Sequence, residues 1–329
     1  MINCNLKPLF LAIIVILTYV VVTSKGQLRV GFYSQTCPSA ESIVRNAVQE
    51  AVFGDRQMAP RLLRLLFHDC FVQGCDGSIL LENTETSERR AEGNLGLAGF
   101  EVIQSAKTQL EATCPGVVSC ADIVALAARD AVAMTAGPFF GIPTGRRDGR
   151  ISNIQFAANL PDVDDSIELL RSKFKEKGLS DRELVLLSGG GHSIGTTACF
   201  FMPKRLYNFT GHGDSDPAID SQFLPDLKAQ CPFNGDVDVR LPLDSSSEFI
   251  FDGHIFHNIR NGFAVLASDA RLYDDMHTRQ IVNFYSGFPS VIRRLSFKAD
   301  FAAAMVKMGS IGVKTGSDGE IRRVCNSVN

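Results

Sequence analysis

The cysteines constrain this chain more than any other residue type. There are nine in 329 residues. A chain of that length buries a sizeable core without covalent staples, so they are not there to rescue a small fold. Their odd number points to processing. Lys7 precedes a nearly unbroken apolar run from Leu9 to Val22, followed by Thr23, Ser24, Lys25 and Gly26. A basic start, a short apolar run and a small-residue exit read as a secretory signal peptide over residues 1–26, cleaved before Gln27. The run is short for a membrane span, which needs about 20 apolar residues. Cleavage removes Cys4 and leaves eight of the nine: Cys37, Cys70, Cys75, Cys114, Cys120, Cys199, Cys231 and Cys325. An even count in a secreted chain implies up to four disulfides, in far too many possible pairings for spacing to choose among. No CxxC pair occurs, which makes a structural zinc site a poor alternative.

Residues 27–329 read as one mainly helical domain, with no clear linker. Hydrophobic residues are 45% and charged residues 21%, which excludes a disordered or fibrous chain. The formal charge is −3, falling to −5 without Lys7 and Lys25, so there is no basic footprint for nucleic acid. Ser39 is placed to cap a helix carrying Ile43, Val44, Ala47, Ala51 and Val52. Pro60 is placed to open a second, through Leu62 to Phe67. Ala121 to Ala133 is rich in alanine and strongly helix-forming. Ser166 starts a stripe of Ile167, Leu170 and Phe174 that stops at Gly178. Ser180-x-x-Glu183 is a capping-box pattern leading into Leu184 to Leu187, and Phe301 to Met308 reads as helix. Residues 211–217 and 232–244 read as loops.

Two histidines carry the chemistry. In Arg64-Leu-Leu-Phe67-His68-Asp69-Cys70 the helical spacing puts Arg64, Phe67 and His68 on one face. A permanent cation beside a histidine disfavours its protonation and leaves it free to act as a base. Taken alone, a surface arginine and a satisfied core histidine are the simpler reading. The next residues add hard oxygen donors, Asp69, Asp76 and Ser78, around a tight loop flanked by Cys70 and Cys75. Carbonyls of Val72 and Gly74 could complete a calcium shell. The second site is Ser188-Gly-Gly-Gly-His192-Ser193-Ile-Gly195. Its Gly191-His-Ser193-Ile-Gly195 matches the hydrolase pattern G-x-S-x-G, with Ser193 as nucleophile and His254 or His257 as partner. That reading requires a preceding strand, whereas the capping box predicts a helix. The other reading makes His192 a metal ligand at a helix end.

The stretch from Arg64 to Ser78 resembles the distal haem signature of class III secretory plant peroxidases. So do Cys114-Pro-Gly-Val-Val-Ser-Cys120-Ala-Asp122, Gly145-Arg-Arg-Asp148 and Gly319-Glu-Ile-Arg-Arg-Val-Cys325. The resemblance runs from Gln27 to Cys325. It implies a mainly α domain that holds one haem b between two helical halves, with two Ca2+ ions and four disulfides. By this resemblance His68 is the distal acid–base, Arg64 stabilises developing charge, and Asn94 holds the His68 ring. His192 is the haem axial ligand and Asp269 its hydrogen-bond partner, which makes the imidazole more basic. The distal calcium maps to Asp69, Val72, Gly74, Asp76 and Ser78, with Glu88 in support. The proximal one maps to Ser193, Asp244, Ser247, Ile250 and Asp252. The implied pairing is Cys37–Cys114, Cys70–Cys75, Cys120–Cys325 and Cys199–Cys231. Pro161 and Phe201 are implied at the donor mouth.

Hydrogen peroxide and small phenolic reductants are the implied partners, with no nucleic acid, no stable membrane association and a monomeric state. The implied roles are peroxide catabolism, the response to oxidative stress, and lignin or cell-wall cross-linking. A serine hydrolase and a non-catalytic secreted binding protein are the alternatives. Asn208-Phe-Thr210 is a glycosylation acceptor in a secreted chain. The short tail after Cys325 favours the extracellular space, apoplast or cell wall, over the vacuole. Asp162 and Asp164 are expected to bring negative charge to the mouth and disfavour anionic phenolic acids. The three glycines before His192 exceed the usual number, which predicts a loop altered by a residue. His212, His254, His257 and His277 read as surface or structural.

Overall fold

Helix signals in the sequence become real helices, and their apolar stripes decide how they pack. The computed structural model describes residues 27–82, 85–287 and 291–329. The expected signal peptide lies outside the described residues. In chain order the helices are α1 (Ala40–Gly54), α2 (Met58–Val72), α3 (Phe100–Thr113), α4 (Cys120–Met134), α5 (Ile167–Glu176) and α6 (Asp181–His192). Then follow α7 (Pro203–Tyr207), α8 (Leu224–Gln230), α9 (His254–Arg260), α10 (Ala267–Arg271), α11 (Met276–Ser286) and α12 (Val291–Met308). Two short strands, β1 (Thr196–Ala198) and β2 (Arg240–Pro242), pair antiparallel. Fold class agrees with expectation: mainly α, with very little sheet among the described residues.

The alanine-rich α4 is buried from Cys120 through Val132. A helix buried on every side belongs in the middle of a core, and its Asp122, Arg129 and Asp130 are paired there. Its small side chains let α1 and α2 pack closely against it. Ser119 caps it by accepting from Asp122 N at 3.1 Å. In the second half α6 packs against α9, α11 and α12. Ser180 and Glu183 form the expected capping box at its start. Ser166 likewise caps α5 through Leu169 N.

Charges inside this core are paired, as burial requires. Asp122 accepts from Tyr33 Oη at 2.6 Å and from Arg146 Nη1 at 2.7 Å. Asp216 accepts from Arg205 Nε at 3.0 Å and Arg271 Nη2 at 2.9 Å. All four implied disulfides form: Cys37–Cys114, Cys70–Cys75, Cys120–Cys325 and Cys199–Cys231.

Three local expectations need correction. Ser39 precedes α1 but makes no side-chain cap, because its backbone is already helical. The helix α2 starts at Met58, so Pro60 sits inside its first turn, where a missing N–H still costs nothing. Residues 240–242, read as loop, form β2 because β1 offers a partner edge.

Candidate active site

The three glycines before His192 extend α6 rather than alter a loop. A Cβ on Gly189 would meet the Phe256 ring at 2.5 Å, and one on Gly190 would collide with Phe301. Glycine therefore lets α6 press onto α9 and α12, while Gly191 faces open space. This close approach carries His192 to the helix end. Asp269, on α10, places both carboxylate oxygens 2.9 Å from His192 Nδ1. Asp269 is buried and offers two acceptor oxygens to Nδ1, so Nδ1 carries the proton and Nε2 presents a lone pair. Burial lowers the basicity of His192, but the charge and hydrogen bond of Asp269 outweigh it, and the net shift is upward.

On α2, Arg64 Nε donates to His68 Nε2 at 3.1 Å, the neighbourhood that i, i+4 spacing predicts. Arg64 also reaches the carbonyls of Gly93 and Leu95, each at 3.4 Å. Between these lies Asn94, whose Oδ1 is 2.7 Å from His68 Nδ1. Its Nδ2 donates to Glu88 O at 2.6 Å, which fixes the amide orientation. His68 Nδ1 is therefore the donor and Nε2 the acceptor. Burial and then the Arg64 charge push His68 down to about 3, against a smaller upward pull from Asn94. Arg64 also lowers His192, so one cation acts on both histidines across the gap between α2 and α6. Phe67 stands edge-on to His68 at 5.6 Å and stacks on Phe71 at 4.2 Å.

For haem, His192 offers a carboxylate-anchored imidazole opposite a neutral His68, a donor set that fits. For the distal calcium, Asp69 Oδ1, Ser78 Oγ and both Glu88 oxygens are buried without hydrogen-bond partners. Burial, then repulsion from Asp76, raises Asp69 well above the usual carboxylate range. Burial raises Glu88 to about 7. Such oxygens fit a hard cation. Val72 O accepts from Lys177 Nζ at 2.8 Å, and Lys314 Nζ lies 2.7 Å from Asp76 Oδ2. Among the described residues no three His, Cys, Asp or Glu side chains converge on one point. A cation here depends on carbonyl and hydroxyl oxygens, as calcium ligation commonly does. Neither lysine was visible in the sequence as a neighbour of this loop.

The proximal set is brought together too. Gly195 N donates to Glu248 O at 2.7 Å, and Leu243 N to Gly195 O at 3.0 Å, stitching Ser193 to the Asp244–Asp252 loop. Ser247 Oγ donates to Asp252 Oδ1 at 3.2 Å, while Asp244 Oδ2 is buried without a partner. Ile250 exposes its side chain, so only its carbonyl can serve. His254 lies closer to function than expected: its Nδ1 is 2.7 Å from Asp244 Oδ1. The hydrolase reading fails here. A helix, not a strand, precedes Ser193, and its buried Oγ donates to Gly190 O at 2.9 Å.

Near the residues expected to form a donor mouth, Asp164 pairs with Lys204 at 3.2 Å, tying the Pro161 loop to α7 beside Phe201. Asp162 Oδ1 accepts from Asp164 N. Of the two carboxylates expected to bring negative charge, Asp164 is thus ion-paired, while Asp162 has no ion pair among the described residues. Phe200 and Phe201 are exposed, 54% and 38%, and meet edge to face. Asn208 is exposed just past α7.

A helical fold with a carboxylate-anchored histidine facing an arginine-backed one defines a haem peroxidase. The peroxidase family model matches residues 44–287. The chain is 57% identical over 306 residues to Peroxidase 43 of Arabidopsis thaliana, covering 93% of this chain and 94% of that protein. It is 57% identical to Peroxidase 13 of the same plant, with the same coverage. It is 49% identical over 327 residues to Peroxidase N1 of Nicotiana tabacum, covering 99% and 98%. The chain belongs to the peroxidase family and is a peroxidase. Among the described residues no helix is long and apolar enough to cross a membrane.

Proposed function

We propose that this peroxidase is secreted and reduces hydrogen peroxide to water while taking single electrons from two phenolic donors. The observation that carries this reading is the neutral His68, held by Asn94 and backed by Arg64, with the Asp269-anchored His192 near enough to feel the same Arg64 charge. One haem b, when bound at His192, supplies an iron centre that exchanges electrons with peroxide and donors. His68 Nε2 takes the proton from one peroxide oxygen and gives it to the other, which leaves as water. Arg64 stabilises charge as the O–O bond breaks. Asp269 keeps His192 oriented and electron-rich.

Two Ca2+ ions are assigned to the Asp69/Val72/Gly74/Asp76/Ser78 set, supported by Glu88, and to the Ser193/Asp244/Ser247/Ile250/Asp252 set. The orphaned buried oxygens support this assignment. Phenolic donors are assigned to the mouth at Pro161 and Phe201, and a glycan to Asn208. Four disulfides and the apolar leader support an extracellular setting, apoplast or cell wall, with cell-wall cross-linking as the role. His68→Ala should retain the Soret band but slow the peroxide reaction about 10²- to 10⁴-fold in stopped-flow. Unchanged kinetics would refute the acid–base role, and a colourless, folded His192→Ala variant is expected. N-terminal sequencing of protein secreted by plant cells should begin near Gln27.

A further inference from the structure

Three arginines gather where the β ribbon meets helix α2. A Cβ on Gly195 would lie 2.6 Å from Pro60 Cβ, so the segment after His192 presses on the first turn of α2. Pro60, Arg64 and His68 follow at i, i+4 and i+8 along one face of that helix. On the ribbon, Arg240 stands directly opposite Ala198 and therefore on the same face. Ala198 is short, so nothing long competes with the arginine for that face. Arg240 Nε donates to Thr196 Oγ1 at 3.1 Å and Nη2 to Thr196 O at 2.8 Å. Thr196 is four residues beyond His192. The exposed guanidinium is thus held on the segment that follows His192.

Neither Arg64 nor Arg240 forms an ion pair with a carboxylate among the described residues, whereas Arg61 pairs with Asp55 at 2.7 Å. Burial and then Arg240 lower Arg64 to about 10, and burial and then Arg61 lower Arg240. Unpaired like charges cost energy, which an anion offsets. Haem b carries two carboxylates on one edge.

We propose that Arg240, held in place by Thr196, binds a haem carboxylate and so fixes the cofactor between His68 and His192. The inference rests on haem binding, which the Soret band of the wild-type holoenzyme tests separately. The test is transfer of cofactor to excess apomyoglobin from enzyme loaded with haem b or with its dimethyl ester. Arg240→Gln should speed loss of haem b about tenfold or more, with Arg240→Lys intermediate. The ester should leave wild type and both variants at one rate. Equal acceleration for haem b and ester would overturn the proposal, because it would mark a purely structural role. Unchanged haem b loss with a raised KM for ferulate would also overturn it, assigning Arg240 to anionic donors.

Discussion

Asn94 Oδ1 accepts from His68 Nδ1 at 2.7 Å while Asn94 Nδ2 donates to the Glu88 carbonyl at 2.6 Å. One amide therefore joins the His68 ring to the segment bearing Glu88 and its buried, unpartnered oxygens. Asn94→Val removes the acceptor that supports the charged imidazolium. The expected result is a peroxide reaction slowed roughly tenfold to a hundredfold, with an unchanged circular dichroism spectrum. A variant as fast as wild type in stopped-flow would contradict the orienting role.

The pH profile should be flat far into acid. His68 sits near 3, lowered by burial and by Arg64. The peroxide step should hold steady from neutral pH to about 4 and fall as His68 protonates. Arg64→Leu removes one depressing charge and should move the acid limb upward. The stability linkage has a definite sign. Unfolded His68 binds a proton near 6.5 and the folded one only near 3. Stability is therefore lost as pH falls through that window. Urea midpoints measured from pH 7 to 4 check this, against a His68→Gln reference with a shallower slope.

Calcium removal should loosen the distal side first. Buried acceptors at Asp69, Ser78 and Glu88 have no protein partner. A ligand at a hundred times its Kd stabilises by about 2.7 kcal/mol, on the order of 5 °C in Tm for a chain this size. EGTA should lower Tm by that order, and Ser78→Ala should blunt the effect. Equal melting with and without chelator would remove calcium from these sites.

The mouth should discriminate donors by charge only once its ion pair is broken. Asp164 and Lys204 lie 3.2 Å apart and are both about half exposed. An exposed pair contributes at most about 1 kcal/mol. Lys204→Ala should therefore lower the ferulate-to-coniferyl-alcohol ratio of kcat/KM by up to about fivefold. A ratio that stays put would show that Asp164 does not reach the donor.

Neighbouring glycines in α6 should respond oppositely to alanine. Gly190→Ala drives a methyl into Phe301 and should cost about 1–3 kcal/mol. Gly191→Ala meets open space and should gain up to about 1 kcal/mol of helix propensity. Urea unfolding of the two variants distinguishes this from a loop, where neither change would matter much.

What the sequence determined by itself was local. Arg64 and His68 meet because residues four apart share a helix face. The Ser180–Glu183 box and the Ser119 and Ser166 caps form because their partners lie three residues away. The even number of cysteines in residues 27–329 was legible in the same local way. Disulfide pairing and the contacts of Asn94 with His68 and of Asp269 with His192 were expected through family resemblance, not from spacing. Asn94 is 26 residues from His68, and Asp269 is 77 from His192. Helical and strand periodicity carry no information about such distances. Tertiary structure alone decided that His254 grips Asp244, that Lys314 meets Asp76, and that Lys204 balances Asp164. It also turned the glycine run from a loop signal into helix, with Gly189 and Gly190 as the packing surface for Phe256 and Phe301. A local pattern sets which way a side chain leaves its helix; only packing decides what stands opposite.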